Sequence, residues 1–284
     1  MAICTRIRRA AALCALCFLG AVAAFADDGP LSSPYEDLVA VAVRANPGGE
    51  KKDRAPGAPL GGIVPHHDLA IDMIVRFYEE LSRHGGVRRV FLFAPDHFRR
   101  ARRWAAVCPA DWRTGDGLLS ADTEAIAALG AAKIVELRRD LFASEHGVTL
   151  HIPLVARFFP DATVVPIVLR PDIPDLALLS LRRRLSGILR DGDILLLSMD
   201  LSHYKPPEAM EAEDHRTLDV LTNLRAMRTH AIDVDAPRAA SLVLALLRER
   251  GATCGEVLER TDSSALMGER VESGTSYATV VYRR

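Results

Sequence analysis

Short apolar runs alternate with amphipathic stretches from residue 61 to the end of the chain. The apolar runs predict strands at residues 62–65, 87–94, 104–109, 133–137, 163–169, 193–198, 256–260 and 276–282. The amphipathic stretches predict helices at residues 69–82, 120–129, 146–158, 176–189, 207–225 and 236–250. Strands alternating with helices are typical of an α/β fold. We therefore expect a single domain with a central mixed, largely parallel sheet flanked by helices.

The two N-terminal segments have a different pattern. Residues 27–60 are polar and rich in Gly and Pro, which predicts an extended or partly ordered arm before a domain at 61–284. Residues 1–26 carry Arg6, Arg8 and Arg9 and no acidic residue, followed by an apolar run that ends in Ala-Phe-Ala. That run has about 17 residues, fewer than the roughly 20 that span a bilayer. We interpret residues 1–26 as a cleaved secretory signal and expect export, to a bacterial periplasm.

Composition excludes several classes of protein. The chain is 49% hydrophobic and 26% charged, unlike collagen-like, disordered or polytopic membrane proteins. Its 36 basic and 37 acidic side chains nearly balance, which argues against a protein that coats nucleic acid. We also expect no stable membrane span after cleavage of the signal. Only Cys108 and Cys254 lie beyond the signal, too few for a disulfide framework, and the sequence leaves their pairing open.

Histidines follow three of the predicted strands. His66 and His67 come after the strand at 62–65, His97 after the strand at 87–94, and His203 after the strand at 193–198. Ligands of open α/β sheets gather beyond the carboxyl ends of the strands, so we expect these side chains to share one site. Imidazole suits iron, copper and zinc, and it also serves as a general base.

A second cluster consists of Glu145, His146 and His151 at the start of a predicted helix. Residues 146 and 151 are about 500° apart around one helix, so we expect that they do not chelate one ion together. Glu145 at the helix N-terminus also suits an interaction with the helix dipole. We expect the remaining histidines, His84, His215 and His230, to face solvent.

Five motifs, in this order, resemble those of the Memo family, called AmmeMemoRadiSam system protein B in bacteria. The segment before His97 reads Ala-Pro-Asp-His where the family has Gly-Pro-(Asn/Ser)-His, and the segment ending in His203-Tyr204 reads Ser-Met-Asp-Leu-Ser-His-Tyr. The other matching segments are Ile-Val-Pro-His at 63–66, Glu-His-Gly-Val-Thr-Leu-His-Ile-Pro at 145–153 and Ser-Tyr-Ala-Thr at 276–279. The resemblance extends from about residue 61 to the end.

The resemblance implies a fold similar to that of class III extradiol dioxygenases, which hold non-haem Fe(II) with two histidines and one carboxylate. It implies that His66 and His97 are metal ligands and that His203 occupies the place of the dioxygenases' catalytic histidine. In the Memo family the third ligand is a cysteine in a Cys-Gly-x-x-Pro segment.

The chain departs from the family at this third ligand. The corresponding segment reads Asp-Val-Asp-Ala-Pro, so aligning Pro237 with the family's proline places Asp233 at the cysteine position, and a small shift places Asp235 there. Cys254 is followed by Gly255, but it lies after the next predicted helix and matches poorly. Either aspartate is also a good helix cap.

Our leading hypothesis is a redox or dioxygenase-type metalloprotein that holds iron or copper, with zinc as a further candidate. The metal ligands would be His66, His97 and one of Asp233 and Asp235, with His203 as the acid–base residue and Asp200 orienting it. The alternatives are a non-catalytic metal-binding or scaffold protein and a metal-assisted hydrolase. The sequence identifies neither the small-molecule substrate nor protein partners.

Overall fold

The apolar runs form the strands of a large mixed sheet in the computed structural model, which describes residues 29–47 and 57–284. The strands are β1 (Leu31–Ser32), β2 (Pro59–Val64), β3 (Arg89–Pro95), β4 (Ala105–Val107), β5 (Trp112–Thr114), β6 (Gly117–Leu119), β7 (Val135–Leu137), β8 (Thr163–Leu169), β9 (Asp193–Ser198), β10 (His203–Lys205), β11 (Gly255–Asp262) and β12 (Gly274–Arg283). The helices are α1 (Glu36–Ala45), α2 (Ile71–Ser82), α3 (Thr123–Gly130), α4 (His146–Thr149), α5 (Ile152–Phe158), α6 (Asp175–Ile188), α7 (Pro207–Thr222), α8 (Pro237–Glu249) and α9 (Ser263–Met267).

The main sheet has nine strands in the order β10-β12-β2-β9-β3-β8-β4-β7, with β11 paired to β12. Its centre, β2-β9-β3-β8, is parallel, whereas β12 and β4 run antiparallel to their inner neighbours. This arrangement confirms the predicted α/β class with a mixed sheet. Because the central strands are parallel, their carboxyl ends lie at one edge.

Both faces of the sheet are buried. Along β3, Phe91 and Phe93 belong to one apolar cluster, while Val90 and Leu92 belong to the cluster on the opposite face. Burial on both faces explains why these strands are continuous apolar runs rather than alternating ones. Full burial of a side chain such as Phe91 stabilises the fold by about 1.5–3 kcal/mol.

The β2 and β9 backbones are in close contact at Gly61. A Cβ atom at this position would lie 2.0 Å from the Leu195 carbonyl oxygen, and the φ of Gly61 is +154°. Glycine is therefore required here, and the contact fixes how the end of β2 lies beside the end of β9.

The single helix predicted at 146–158 is wrong, because the chain forms α4 and α5 instead. A continuous helix would need the residue at 153 to donate its N–H to the Thr149 carbonyl, and Pro153 has none. The Thr149 carbonyl accepts the Ser33 hydroxyl instead, at 2.7 Å. Pro153 lies in the first turn of α5, where a missing N–H costs little.

The stretch predicted as an arm contains regular structure where it is described. β1 pairs with β5, and Val39 and Ala42 of α1 are buried in the cluster that also contains residues of α2. The sequence pattern also failed to predict the β5–β6 hairpin and β10.

The predicted signal at 1–26 lies outside the described residues. Within them, no helix is long and apolar enough to cross a membrane. Cys108 is buried and Cys254 is exposed, and neither is bonded to another cysteine of the described segments.

Candidate metal centre

Three neighbouring parallel strands deliver polar side chains to the same edge of the sheet. His66 lies two residues beyond β2, Asp200 two residues beyond β9, and His97 two residues beyond β3. Because the strand order is β2-β9-β3, these residues meet at one place. The ring centroids of His66 and His97 are 4.8 Å apart.

His146 is a third imidazole at this place. Its ring centroid lies 4.0 Å from that of His97 and 5.1 Å from that of His66. Possible ligand atoms of these three histidines lie within 4.8 Å of one another, and the same holds for His66, Asp200 and Asp235. Two overlapping sets of candidate ligands therefore share His66.

Asp235 faces both strand-end histidines from the loop before α8. Its Oδ2 lies 2.9 Å from His66 Nε2 and 3.6 Å from His97 Nε2. This oxygen is shielded from solvent, yet it makes no hydrogen bond of acceptable angle. The other oxygen, Oδ1, accepts the Asp200 backbone N–H at 3.2 Å, which holds the carboxylate in place.

The two imidazoles are anchored through their far nitrogens. His66 Nδ1 lies 2.9 Å from the Ser198 hydroxyl, and His97 Nδ1 lies 2.5 Å from Glu145 Oε1. Glu145 is itself 1% exposed and also accepts the backbone N–H of Gly147. Anchoring at Nδ1 turns each Nε2 toward Asp235, and metal-binding histidines are commonly oriented in this way.

The ionisable groups of the centre shift one another's pKa values. Burial alone would lower the pKa of the His97 imidazole, but the Asp235 and Glu145 carboxylates outweigh it and raise that pKa to about 9. Burial, together with the nearby His97 and His66, lowers the pKa of His146 to about 4. Burial would raise the pKa of the Asp235 carboxyl, but His66 and His97 outweigh it and hold that pKa well below its usual range.

The donor set fits a divalent transition metal. Two imidazole Nε2 atoms and one carboxylate oxygen form the donor combination of non-haem Fe(II) sites. The buried Asp235 Oδ2 lacks a well-directed partner, which a cation would supply. His146 and Asp200 flank these three residues and are further candidate ligands.

The other predicted site residues lie around this centre in different environments. Asp233 Oδ2 lies 2.8 Å from Lys205 Nζ, and both side chains are partly exposed. His203 donates its Nδ1–H to the Leu201 carbonyl at 2.7 Å. Asp200, predicted to orient His203, accepts the backbone N–H of His66 at 3.0 Å. Among the described residues, neither Asp233 nor His203 joins a group of candidate ligands.

Sequence reasoning missed His146 as a member of the centre. The expectation that it does not chelate with His151 assumed one helix, and Pro153 was the signal that could have divided that helix. His151 is fully buried away from this group, with Nδ1 3.2 Å from the Tyr78 hydroxyl.

Comparisons with known proteins agree with this architecture. The family described as Memo-like protein matches residues 37–281. A MEMO1 family protein of Ignicoccus hospitalis is 26% identical over 238 residues, covering 79% of this chain and 83% of the relative. One from Caldivirga maquilingensis is 25% identical and covers 78% of this chain and 83% of the relative. The crystal structure of an uncharacterized protein from Escherichia coli K12 is similar in fold, with a TM-score of 0.50, 14% identity, and coverage of 78% of this chain and 98% of that one.

Proposed function

The chain belongs to the Memo-like protein family, and we propose that it is a non-haem iron protein with an oxidoreductase activity of the dioxygenase type. The observation that supports this proposal is the position of Asp235, whose Oδ2 lies opposite the Nε2 atoms of both His66 and His97. A carboxylate that faces two imidazoles anchored at their far nitrogens has the composition of a two-histidine, one-carboxylate iron site.

The carboxylate favours iron over copper. Soft thiolate ligands select Cu(I), whereas imidazole with carboxylate suits Fe(II) and leaves positions open for other ligands. Where the family resemblance implies a cysteine ligand, Asp235 would supply a carboxylate oxygen, which is a harder donor than a thiolate. Bound iron would supply the open coordination positions and electron transfer that an oxygenase reaction needs.

The surrounding residues hold the centre in place. Ser198 and Glu145 orient the two imidazoles, and the Asp200 backbone N–H orients Asp235. His203 is the proposed acid–base residue: with its Nδ1–H held by the Leu201 carbonyl, neutral His203 carries a lone pair on Nε2 that can accept a proton from a substrate hydroxyl.

The proposal is tested by reconstituting the full chain, without oxygen, with Fe(II), Cu(I) or Zn(II) in separate samples. We expect one Fe(II) per chain, and we expect the double variant His66→Ala plus His97→Ala to retain none. The matched control is His215→Ala plus His230→Ala, because both of these histidines are exposed. Full iron binding by the His66/His97 variant, or selective binding of another metal by the wild type, would overturn the assignment.

Catalysis is tested separately by oxygen uptake of the iron-loaded protein with catechol-type compounds. We expect uptake that His203→Ala lowers while iron content stays unchanged. Bound iron without any oxygen uptake would favour a metal-binding role without dioxygenase chemistry.

A further inference from the structure

The residues of the centre are unequally exposed, and the Asp235 side chain, at 14%, lies between the extremes. The side chains of His66 and Asp200 are 3% and 2% exposed, whereas those of His97 and His146 are 21% and 34% exposed. A small molecule that approaches the candidate metal ligands therefore meets the His97 and His146 side first.

An exposed aromatic ring borders this opening. Phe98 is 51% exposed, and its ring centroid lies 6.4 Å from that of His97 and 6.1 Å from that of His146. Exposure of a large aromatic side chain forgoes the free energy of its burial. A flat ligand stacked on this ring would recover that free energy.

Arg100 lies over the same ring and brings an unpaired positive charge. Its guanidinium carbon is 5.0 Å from the Phe98 centroid, and its Nη1 donates to the Ser144 hydroxyl at 2.6 Å. Among the residues that the structure describes, no carboxylate forms a salt bridge with this side chain. The Asp96 carboxylate on the same loop is buried and accepts the backbone N–H groups of Arg100 and Ala101, at 3.0 Å and 2.8 Å.

In a second arginine–aromatic pair, the charge of the arginine is neutralised by a carboxylate. Arg170 lies over Trp104 at 5.1 Å, but its Nη2 is 2.7 Å from Asp172 Oδ2, so its charge is already paired. The Phe98–Arg100 pair differs because its charge remains available to an incoming anion.

The loop that carries this pair is held in a fixed shape. Besides the two hydrogen bonds to Asp96, Arg99 adopts a left-handed backbone conformation with a φ of 50°. Non-glycine residues in that conformation persist where the surrounding structure holds them, and such positions concentrate at ligand sites.

We propose that Phe98 and Arg100 form the recognition element for the substrate, and that the substrate is a small flat anion of the aromatic carboxylate class. Its ring stacks on Phe98, its carboxylate pairs with the Arg100 guanidinium, and the rest of the molecule extends toward His97 and His146. The assignment of this ligand as substrate rests on the proposed iron centre, but neither Phe98 nor Arg100 is a candidate metal ligand.

The test is calorimetric titration of benzoate into the full chain, both iron-loaded without oxygen and metal-free. Phe98→Leu removes the aromatic ring, Arg100→Gln removes the charge, and Arg170→Gln is the matched control. We expect Arg100→Gln to weaken benzoate binding at least about tenfold in both forms, since it removes a charge-assisted hydrogen bond. We expect Phe98→Leu to weaken binding by about fivefold, and Arg170→Gln to leave it unchanged. Binding of the uncharged benzyl alcohol should respond to Phe98→Leu but not to Arg100→Gln.

The outcomes separate this inference from the iron proposal. Iron content reports on the centre, and benzoate affinity of the metal-free protein reports on the recognition element. The inference is overturned, even if iron binds, when the wild type binds benzoate in neither form. It is also overturned when Arg100→Gln and Arg170→Gln weaken benzoate binding equally. If the wild type binds no iron but the benzoate affinities of the variants change as expected, the iron proposal is overturned and the recognition element stands.

Discussion

At the scale of single residues, the two strand-end histidines differ in the group that holds Nδ1. His66 is held by the Ser198 hydroxyl, whereas His97 is held by the Glu145 carboxylate. A carboxylate makes an imidazole more basic and a stronger metal ligand, so His97 is one residue through which pH acts on the centre. His66 is another, because the Asp200 and Asp235 carboxylates outweigh burial and raise its pKa as well.

Iron binding is therefore expected to tighten with pH. The Asp235 and Glu145 carboxylates outweigh the effect of burial and raise the pKa of His97 to about 9, so this imidazole carries a proton at pH 7 that the metal must displace. We expect the apparent Kd for Fe(II) to fall about tenfold between pH 7 and pH 8, measured by chelator competition without oxygen.

Glu145→Gln provides the control for this dependence. It removes one of the two carboxylates that raise the pKa of His97, so iron binding should become weaker at pH 8 and also less dependent on pH. An affinity that is flat between pH 7 and pH 8 in the wild type would contradict the role of His97.

The residue scale also shows where sequence reasoning reaches its limit. Motif order predicted that His66 and His97 lie together, because each follows a strand whose carboxyl end has a fixed place in the sheet, and the structure places their rings 4.8 Å apart. It could not choose between Asp233 and Asp235, which are two residues apart in a loop whose course depends on tertiary contacts. In the structure, the Asp200 backbone N–H contacts Asp235, whereas Lys205 pairs with Asp233.

At the scale of elements, the close contact of β2 with β9 positions the centre. Gly61 allows the two strands to approach, and the same strands carry His66 and Ser198 to a distance of 2.9 Å. The apolar pattern predicted both strands, but pattern alone gives no information about how close two backbones lie.

Two glycine variants test this contact. In Gly61→Ala, the added Cβ would lie 2.0 Å from the Leu195 carbonyl oxygen, and we expect a loss of about 2–4 kcal/mol in the free energy of unfolding. In Gly187→Ala, within α6, the added Cβ has nothing within 4 Å, and we expect a gain of up to about 1 kcal/mol. Urea unfolding followed by circular dichroism measures both values, and similar values for the two variants would contradict the contact.

At the scale of the whole molecule, the centre gathers residues that are far apart in the chain. His66, His97, His146 and Asp235 come from four separate segments that meet beyond one edge of the sheet. The order of strands and helices predicted this edge and the α/β class, because both follow from patterns along the chain. The pattern did not predict α1, which lies in a stretch with the composition of a linker and is ordered by packing against α2.

Because the proposed ligands come from separate segments, bound iron should stabilise the entire fold. At a free concentration of 100 times Kd, a ligand that binds only the folded state adds about 2.7 kcal/mol, or about 5–10 °C in Tm for a domain of this size. We expect this shift in thermal unfolding of the wild type with Fe(II) in the absence of oxygen. The His66→Ala plus His97→Ala variant should show none, and an equal shift in that variant would indicate binding elsewhere.

The central claim is that Asp235 completes the metal centre. The most direct measurement is the iron content per chain of Asp235→Ala and Asp233→Ala, each reconstituted with Fe(II) without oxygen. We predict that Asp235→Ala loses stoichiometric iron, because it removes the carboxylate 2.9 Å from His66 Nε2. Asp233→Ala loses only an ion pair with Lys205, so we predict that it binds one iron as the wild type does. Full iron in Asp235→Ala, or loss of iron in Asp233→Ala alone, would contradict the account.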